Sequence, residues 1–169
     1  TATSSLDITL SGKSSPPVWG NAAMTAATVS EEGLPAGIPD GVPSDSATVS
    51  VAAGSVTFTD SDSALADLSF QFTSPAGAFT SGGKPVYWDR NVAGVIKGYT
   101  VTLDANGDEI AREDVITVTM DAIEQVGSAF QAGYQVELHK PLDHVKAGLG
   151  TSMPLDFGLK VFDGRSYSN

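Results

Sequence analysis

Apolar and polar residues alternate along most of this chain, with the period of two that is typical of β-strands. Because successive side chains of a strand point to opposite faces, each such segment has one apolar and one polar face. The clearest segments are Leu68–Thr73, Tyr99–Leu103, Ile116–Met120, Tyr134–Leu138 and Leu155–Val161. Weaker candidates are Leu6–Leu10, Ala47–Val51, Ser55–Thr59 and Val86–Trp88. Eight or nine short strands separated by turn residues predict an all-β fold, an antiparallel β-sandwich with long loops.

Helical signal is scarce and turn signal is frequent. Short helical turns are predicted within Ser61–Leu68 and Ala122–Val126. Asn106-Gly107 lies between two alternating segments and predicts a tight type I′ hairpin turn, in which both central residues have positive φ. Residues 31–46 contain three prolines and three glycines and predict a loop or edge connection.

Length and composition limit the classes of protein that this chain can belong to. Its 169 residues suit one domain, which we expect to span residues 1–169. With 20 Asp and Glu against 9 Lys and Arg, the net charge is −11, so we expect no nucleic-acid partner. No apolar run approaches the roughly 20 residues that span a bilayer, so we expect no membrane insertion. The absence of cysteine rules out disulfides and thiolate chemistry.

The most suggestive cluster of carboxylates follows the predicted strand Ser55–Thr59. Asp60 and Asp62 are two residues apart, and Asp67 comes shortly after them. On an extended backbone, side chains at i and i+2 project to the same side, and calcium prefers such oxygen ligands. The alternative is a solvated turn in which Asp60 forms an Asx turn and caps the next segment.

Two further acidic groups are candidate calcium ligands. Asp104, Asn106 and Asp108 superficially resemble an EF-hand loop, but its Gly and Glu positions are not matched, which favours a polar hairpin tip. Asp163 ends the last predicted strand, and Glu31 lies early in the chain. If these two met at one pole of a sandwich, a cation between them would relieve their repulsion; the alternative is that they never meet.

The residues that suggest catalysis do not form a recognisable motif. Asp143 and His144 are adjacent, but no G-x-S-x-G motif and no cysteine accompany them, and His139 is the only other histidine. Acidic side chains are so abundant that many pairs could resemble the two catalytic carboxylates of a glycosidase, but no motif identifies one such pair. We therefore expect no enzymatic activity.

A glycine-rich segment next to aromatic residues is a candidate ligand-binding rim. Gly82 and Gly83 precede Tyr87, Trp88 and Asp89, without the spacing of a phosphate-binding loop. The alternative is that Trp88 or Tyr87 belongs to the sandwich core.

Together, several segments resemble the repeat domain of giant RTX-type adhesins that are exported by type I secretion. They are TSGGKPVYW (Thr80–Trp88), YTVTLDANGDE (Tyr99–Glu109), YQVELHKPLDH (Tyr134–His144) and LDFGLKVFDG (Leu155–Gly164), in that order. The upstream VSEEGLPAGIPDG and FTDSDSALADLSF also fit, so the resemblance spans about residues 28–164. The family strand usually ends in an Asp-Gly-Asp-Gly run, whereas Arg165-Ser166 follows here, which reduces or removes a calcium site shared with a following domain.

The resemblance implies an extracellular, bacterial cell-surface β-sandwich that folds with calcium and lies beside neighbouring domains of the same adhesin. Some related modules bind peptides, and calcium holds the terminal carboxylate of the partner. Two functions stay open: an adhesion module that binds a peptide, protein or glycan of another cell, and a spacer that calcium only stiffens. The candidate calcium ligands are Asp60, Asp62, Asp67, Asp104, Asn106, Asp108, Asp143, Asp163 and Glu31. The candidate ligand-binding residues are Gly82, Gly83, Tyr87, Trp88 and Asp89.

Overall fold

The structure is a computed structural model that describes residues 15–35, 49–143 and 153–168. Within these ranges the chain is nearly all β, with antiparallel curled sheets and no α-helix, and this confirms the predicted all-β, sandwich-like fold. The strands are β1 (Val18–Met24), β2 (Val51–Thr59), β3 (Ser69–Thr73), β4 (Thr80–Ser81), β5 (Lys84–Pro85), β6 (Tyr87–Asp89), β7 (Val95–Leu103), β8 (Glu109–Met120), β9 (Glu124–Val126), β10 (Ala129–Leu138) and β11 (Gly158–Phe162). Two 3₁₀ turns occupy Glu31–Gly33 and Leu65–Asp67.

Seven strands form one antiparallel sheet, which we call the large sheet. Its order is β1-β2-β10-β8-β7-β6, and β9 pairs with the far end of β10. A small sheet is formed by β3 and β11, and a short hairpin by β4 and β5. A backbone hydrogen bond joins the two sheets: the Gly94 N–H, just before β7, donates to the Phe70 carbonyl of β3 at 3.0 Å.

The core lies between the inner face of the large sheet and the small sheet. Phe58 of β2 is 1% exposed, and its ring contacts those of Trp19, Phe70 and Phe130 at centroid distances of 5.8, 6.0 and 5.4 Å. Phe70 comes from the small sheet, as does the fully buried Val161, so both sheets contribute to one apolar cluster. Burial of these rings is what holds the two layers together.

Strand residues alternate between the two faces of the large sheet, so the face away from the core carries polar and charged side chains together with some exposed apolar ones. On β7, Ile96 and Gly98 point to the core, whereas Lys97 and Tyr99 point outward. At Gly98 a Cβ would lie 2.9 Å from atoms of both Ile116 and Trp88, so only glycine lets these two side chains close over the strand.

Each of the five clearest predicted strands is present in the structure, but each begins at a different residue from the one predicted. The predicted segments over 68–73, 99–103, 116–120, 134–138 and 155–161 correspond to β3, β7, β8, β10 and β11, although β11 begins only at Gly158. The segments over 55–59 and 86–88 overlap β2 and β6. Of the segment over 47–51, only Val51 is in a strand, and residues 47–48 lie outside the described residues, as do Leu6–Leu10, residues 36–46 and His144.

One of the two predicted helical turns is wrong. Ser61–Leu68 does contain the 3₁₀ turn, but residues 124–126 of the segment Ala122–Val126 form β9. They pair with residues 129–131 across a turn at Gly127, which has φ +63°. Local helical preference is weak over so short a segment, and pairing with β10 overrides it.

The hairpin at Asn106-Gly107 is confirmed, but its turn type differs from the prediction. Gly107 has φ +90°, whereas Asn106 does not have positive φ. The Gly107 N–H donates to the Asp104 carbonyl and the Asp104 N–H to the Asp108 carbonyl, which is the three-residue loop with glycine in the left-handed position. Asp104 selects this loop because its carboxylate also accepts hydrogen bonds from the turn.

Within the part of the chain that the structure describes, no helix is long and apolar enough to cross a membrane.

We predict that Phe58→Ala lowers the free energy of unfolding by about 3–5 kcal/mol, because it removes a ring that contacts three others in the core. Urea denaturation followed by tryptophan fluorescence measures the change. Val92→Ala is the control, since Val92 is 64% exposed, and we expect it to cost less than about 0.5 kcal/mol. Equal stabilities of the two variants would contradict the assigned core.

Candidate functional site

The turn that follows β2 brings Asp60 and Asp62 together. Asp60 Oδ1 accepts hydrogen bonds from the backbone N–H groups of Asp62 and Ser63, each at 3.1 Å, so Asp60 forms the Asx turn that the alternative interpretation predicted. Its other oxygen, Oδ2, is buried and has no hydrogen-bond partner among the described residues. Asp62 accepts a hydrogen bond from the Ser15 N–H at 3.2 Å, which fixes the entry to β1 beside this turn.

Asp67 precedes β3 and Asp163 follows β11, the two strands that pair in the small sheet. A Cβ at Gly164 would lie 3.8 Å from Asp67 Cβ. Asp163 is 4% exposed, and its carboxylate accepts hydrogen bonds from the Arg165 N–H at 2.7 Å, from the Ser166 N–H and from Ser166 Oγ at 2.8 Å. The Arg165-Ser166 sequence therefore satisfies this carboxylate from within its own turn.

The hairpin tip between β7 and β8 holds Asp104, Asn106 and Asp108. Asp104 Oδ1 accepts from the Asn106 and Asp108 N–H groups at 2.8 and 2.9 Å, and Oδ2 accepts from the Asn106 side-chain amide at 3.3 Å. This is the arrangement of a polar hairpin tip, the interpretation that the spacing favoured.

Asp143 binds the glycine-rich loop, and Glu31 binds the backbone of Leu142, the residue before Asp143. Asp143 Oδ1 and Oδ2 accept hydrogen bonds from the Gly82 and Gly83 N–H groups at 3.0 and 2.7 Å, and Glu31 Oε1 accepts from the Leu142 N–H at 2.9 Å. Gly82 and Gly83 have φ +58° and +75°, the conformation in which two successive N–H groups form a concave receptor for an anion. That receptor holds the chain's own Asp143.

Across residues 15–35, 49–143 and 153–168, no group of three or more His, Asp or Glu side chains is arranged to hold a metal ion. The candidate calcium ligands are instead distributed over four places: the Asp60 turn, the paired ends of β3 and β11 with Asp67 and Asp163, the hairpin tip, and the Glu31–Asp143 region. The carboxylates of Asp104, Asp143 and Asp163 accept hydrogen bonds largely from backbone N–H groups, whereas Asp60 Oδ2 has no hydrogen-bond partner among the described residues.

The aromatic candidates for ligand binding have different environments. The Trp88 ring packs edge-on against Phe79 and Phe157 at centroid distances of 6.1 and 5.4 Å, which is the core position that the alternative predicted. Tyr87 is 46% exposed and lies 5.9 Å from the ring of Tyr99 on the outer face of the large sheet. Asp89 Oδ1 accepts from the Asn91 N–H at 2.9 Å.

An open polar cleft of about 290 Å³ lies at the end of β6. We call it the Tyr99 cleft, and its lining residues are Trp88, Asp89, Arg90, Asn91, Tyr99 and Arg112. The Arg112 guanidinium lies 4.0 Å above the centre of the Tyr99 ring and pairs with Glu109 through contacts of 3.0 and 3.2 Å. Sequence reasoning identified Trp88 and Asp89 but missed the other four residues.

The missed residues could not be read from the spacing, since Tyr99 and Arg112 are brought together by the β7–β8 register. That register shifts between Gly98 and Tyr99, where Gly98 pairs with Ile116 but Tyr99 pairs with Asp114. A bulge of this kind changes which β8 side chains share the face of Tyr99. The sequence signal for this contact was the predicted hairpin at Asn106-Gly107, which pairs β7 with β8.

Comparison of the chain with family models, with curated proteins and with solved structures yields no match.

Backbone hydrogen bonds lower the pKa of both Asp104 and Asp163 below the ordinary carboxyl value of 3.8, with burial opposing the shift. A carboxyl whose pKa is lower in the folded state stabilises the fold above its unfolded pKa, and this stabilisation is lost as pH falls through the folded pKa. We therefore predict a fall in the urea midpoint below about pH 4, with a shallower slope in Asp163→Asn.

The control for this pH series is Asp156→Asn, which removes the same charge from an exposed residue. We expect its urea midpoint to follow the slope of the wild-type protein. A slope in Asp163→Asn as steep as that of the control would overturn the role given to Asp163.

Proposed function

We propose that this chain is a calcium-stabilised adhesion module of a large bacterial surface adhesin that is exported by type I secretion and acts outside the cell. The resemblance of residues 28–164 to RTX-type adhesin repeats supports the family. The β-sandwich architecture and the absence of cysteine agree with it, because a chain secreted unfolded gains from having no thiols that pair early. The proposal includes no catalytic activity.

The observation that carries the calcium part of the proposal is the unpartnered Oδ2 of Asp60. Burial of an ionised oxygen without a hydrogen bond is costly, and a cation removes that cost. Asp60 and Asp62 are the residues that would hold the ion, together with backbone carbonyls, which calcium accepts readily. Calcium when bound supplies positive charge where the β1 entry, the end of β2 and the following turn meet.

The overall negative charge of the chain also supports calcium binding. A net charge of −11 on 169 residues opposes compaction through self-repulsion, and divalent cations reduce this repulsion. Extracellular modules bind calcium with dissociation constants of roughly 10⁻⁴–10⁻³ M, and we expect the same range here.

A spacer without a ligand of its own is the second candidate, and one observation favours it. The Gly82 and Gly83 N–H groups are engaged by Asp143, so a peptide carboxylate would have to displace that side chain. Tyr87 and Asp89 stay exposed enough to contact a ligand, which favours the adhesion module. Binding of the purified module to target cells, with and without a chelator, distinguishes the two candidates.

We predict that calcium raises the melting temperature by about 3–6 °C when its free concentration is ten times its dissociation constant. Differential scanning calorimetry in calcium and in EDTA measures the shift. Asp60→Asn and Asp62→Asn should each reduce it, because each removes a charged oxygen at the proposed ion site.

Asp156→Asn is again the matched control and should retain the full shift. Equal melting temperatures in calcium and EDTA for the wild-type protein would refute calcium stabilisation. A full shift in both Asp60→Asn and Asp62→Asn would place the ion elsewhere and refute the assigned site.

A further inference from the structure

We infer that Asn106 is a site of spontaneous deamidation, at which the backbone nitrogen of Gly107 attacks the side-chain amide and water converts the product to aspartate and isoaspartate. Asn106-Gly107 is the one Asn-Gly pair in the sequence, and it occupies the tip of the β7–β8 hairpin. Neither calcium nor adhesion is needed for this reaction, which lies beyond the proposed function.

The reaction needs only water and solvent base. The Gly107 N–H gives up its proton and the nitrogen bonds to Asn106 Cγ, while the bond from Cγ to Nδ2 breaks and the amide nitrogen leaves as ammonia after taking up a proton. Water then adds to either carbonyl of the cyclic imide and breaks the bond from that carbon to nitrogen, which takes back a proton. Opening at Cγ gives aspartate and opening at the main-chain carbon gives isoaspartate, and both acids are ionised at neutral pH.

Glycine at position 107 makes this ring closure sterically accessible. Gly107 has no side chain to block the approach, and its φ of +90° is a conformation that glycine adopts at little cost. A Cβ built at Gly107 would have no atom within 4 Å, and residues 105–110 are all exposed. Water and solvent base therefore reach the reacting groups of the folded hairpin.

Hydrogen bonds to Asp104 restrain both reacting groups. The Gly107 N–H donates to the Asp104 carbonyl at 3.1 Å, and the Asn106 side-chain amide donates to Asp104 Oδ2 at 3.3 Å. Asp104 Oδ1 also accepts from the Asn106 and Asp108 N–H groups. The nitrogen that must lose its proton and the amide that must rotate are both engaged, so the tip has to open before they react. Asp104 is thus the residue that sets the rate.

Opening of the tip does not require unfolding of the sheet. Leu103 and Ile110, which flank the tip, are 54% and 64% exposed and lie outside the core. The pair of Leu103 with Glu109 ends the β7–β8 ladder, after a shift in register. Segments with exposed backbone hydrogen bonds and few buried contacts open locally at a much smaller free-energy cost than global unfolding. We therefore expect deamidation in the native protein.

Deamidation changes both the charge and the backbone of the tip. The new carboxylate replaces an amide that donated to Asp104 Oδ2, and it lies near the carboxylates of Asp104 and Asp108. Isoaspartate also adds a methylene group to the main chain, which moves the N–H groups that Asp104 Oδ1 accepts from. We expect the tip to lose these hydrogen bonds while the core keeps its packing.

The test is prolonged incubation of the purified protein with calcium at neutral and mildly alkaline pH, followed by peptide mapping with mass spectrometry and by isoaspartate labelling with a methyltransferase. Asn91 is the internal control. It is exposed and its N–H donates to Asp89 Oδ1 at 2.9 Å in a similar Asx turn, but the β-branched Val92 follows it. We expect conversion at Asn106 to be at least about tenfold faster than at Asn91, and faster at the higher pH.

Two variants of the tip test the role of Asp104. Asp104→Ala should raise the rate of deamidation at Asn106 about fivefold, because it removes the side-chain hydrogen bonds that keep the tip closed. Asp108→Ala is the matched control, since it removes an equal charge from the same tip and leaves the Asp104 side chain in place. We expect its rate to stay within about twofold of that of the wild-type protein.

A urea series on the wild-type protein distinguishes local from global opening. Urea below the unfolding transition should leave the rate nearly unchanged, because an open tip exposes little additional surface, whereas reaction through the unfolded chain accelerates steeply with urea. Such a steep acceleration would overturn the inference. It would also be overturned by conversion at Asn106 no faster than at Asn91, or by equal rates in Asp104→Ala and Asp108→Ala.

Discussion

Burial of the aromatic side chains around Phe58 is the interaction on which the structure depends. The small sheet covers the apolar, core-facing side of the large sheet with residues such as Phe70 and Val161. Without that cover the inner face would be exposed, and no disulfide is available to hold the layers together. Once the layers are packed, the strand ends, and with them the carboxylates, occupy defined positions.

The acidic side chains at the strand ends mostly act as local caps. Asp104 and Asp163 each accept several hydrogen bonds from the turn that follows, and Asp143 occupies the Gly82–Gly83 receptor. Backbone dipoles therefore stabilise several of the carboxylates in this chain of net charge −11. Asp60 departs from the pattern through one buried oxygen, and this is why the calcium proposal rests on that turn.

Side chains on the outer face of the large sheet are exposed to solvent, yet the strands hold their backbone in place. The strands fix the backbone positions of Tyr87, Asp89, Tyr99 and Arg112, and the β6–β7 turn adds Arg90. A ligand site on such a sheet loses little conformational entropy on binding, because its groups are already placed by strand pairing. The same rigidity would suit both the adhesion module that we propose and the alternative spacer.

The sequence alone determined the all-β class, the position of most strands and the polar hairpin at Asn106-Gly107, because side-chain alternation and turn preference are local properties. It also indicated which carboxylates lie in turns. Only the tertiary structure decided that Trp88 packs in the core, that Ala122–Val126 contains a strand and that Tyr99 lies beneath Arg112. These outcomes depend on pairing between distant segments and on a bulge in register, and neither leaves a signal in the spacing of nearby residues.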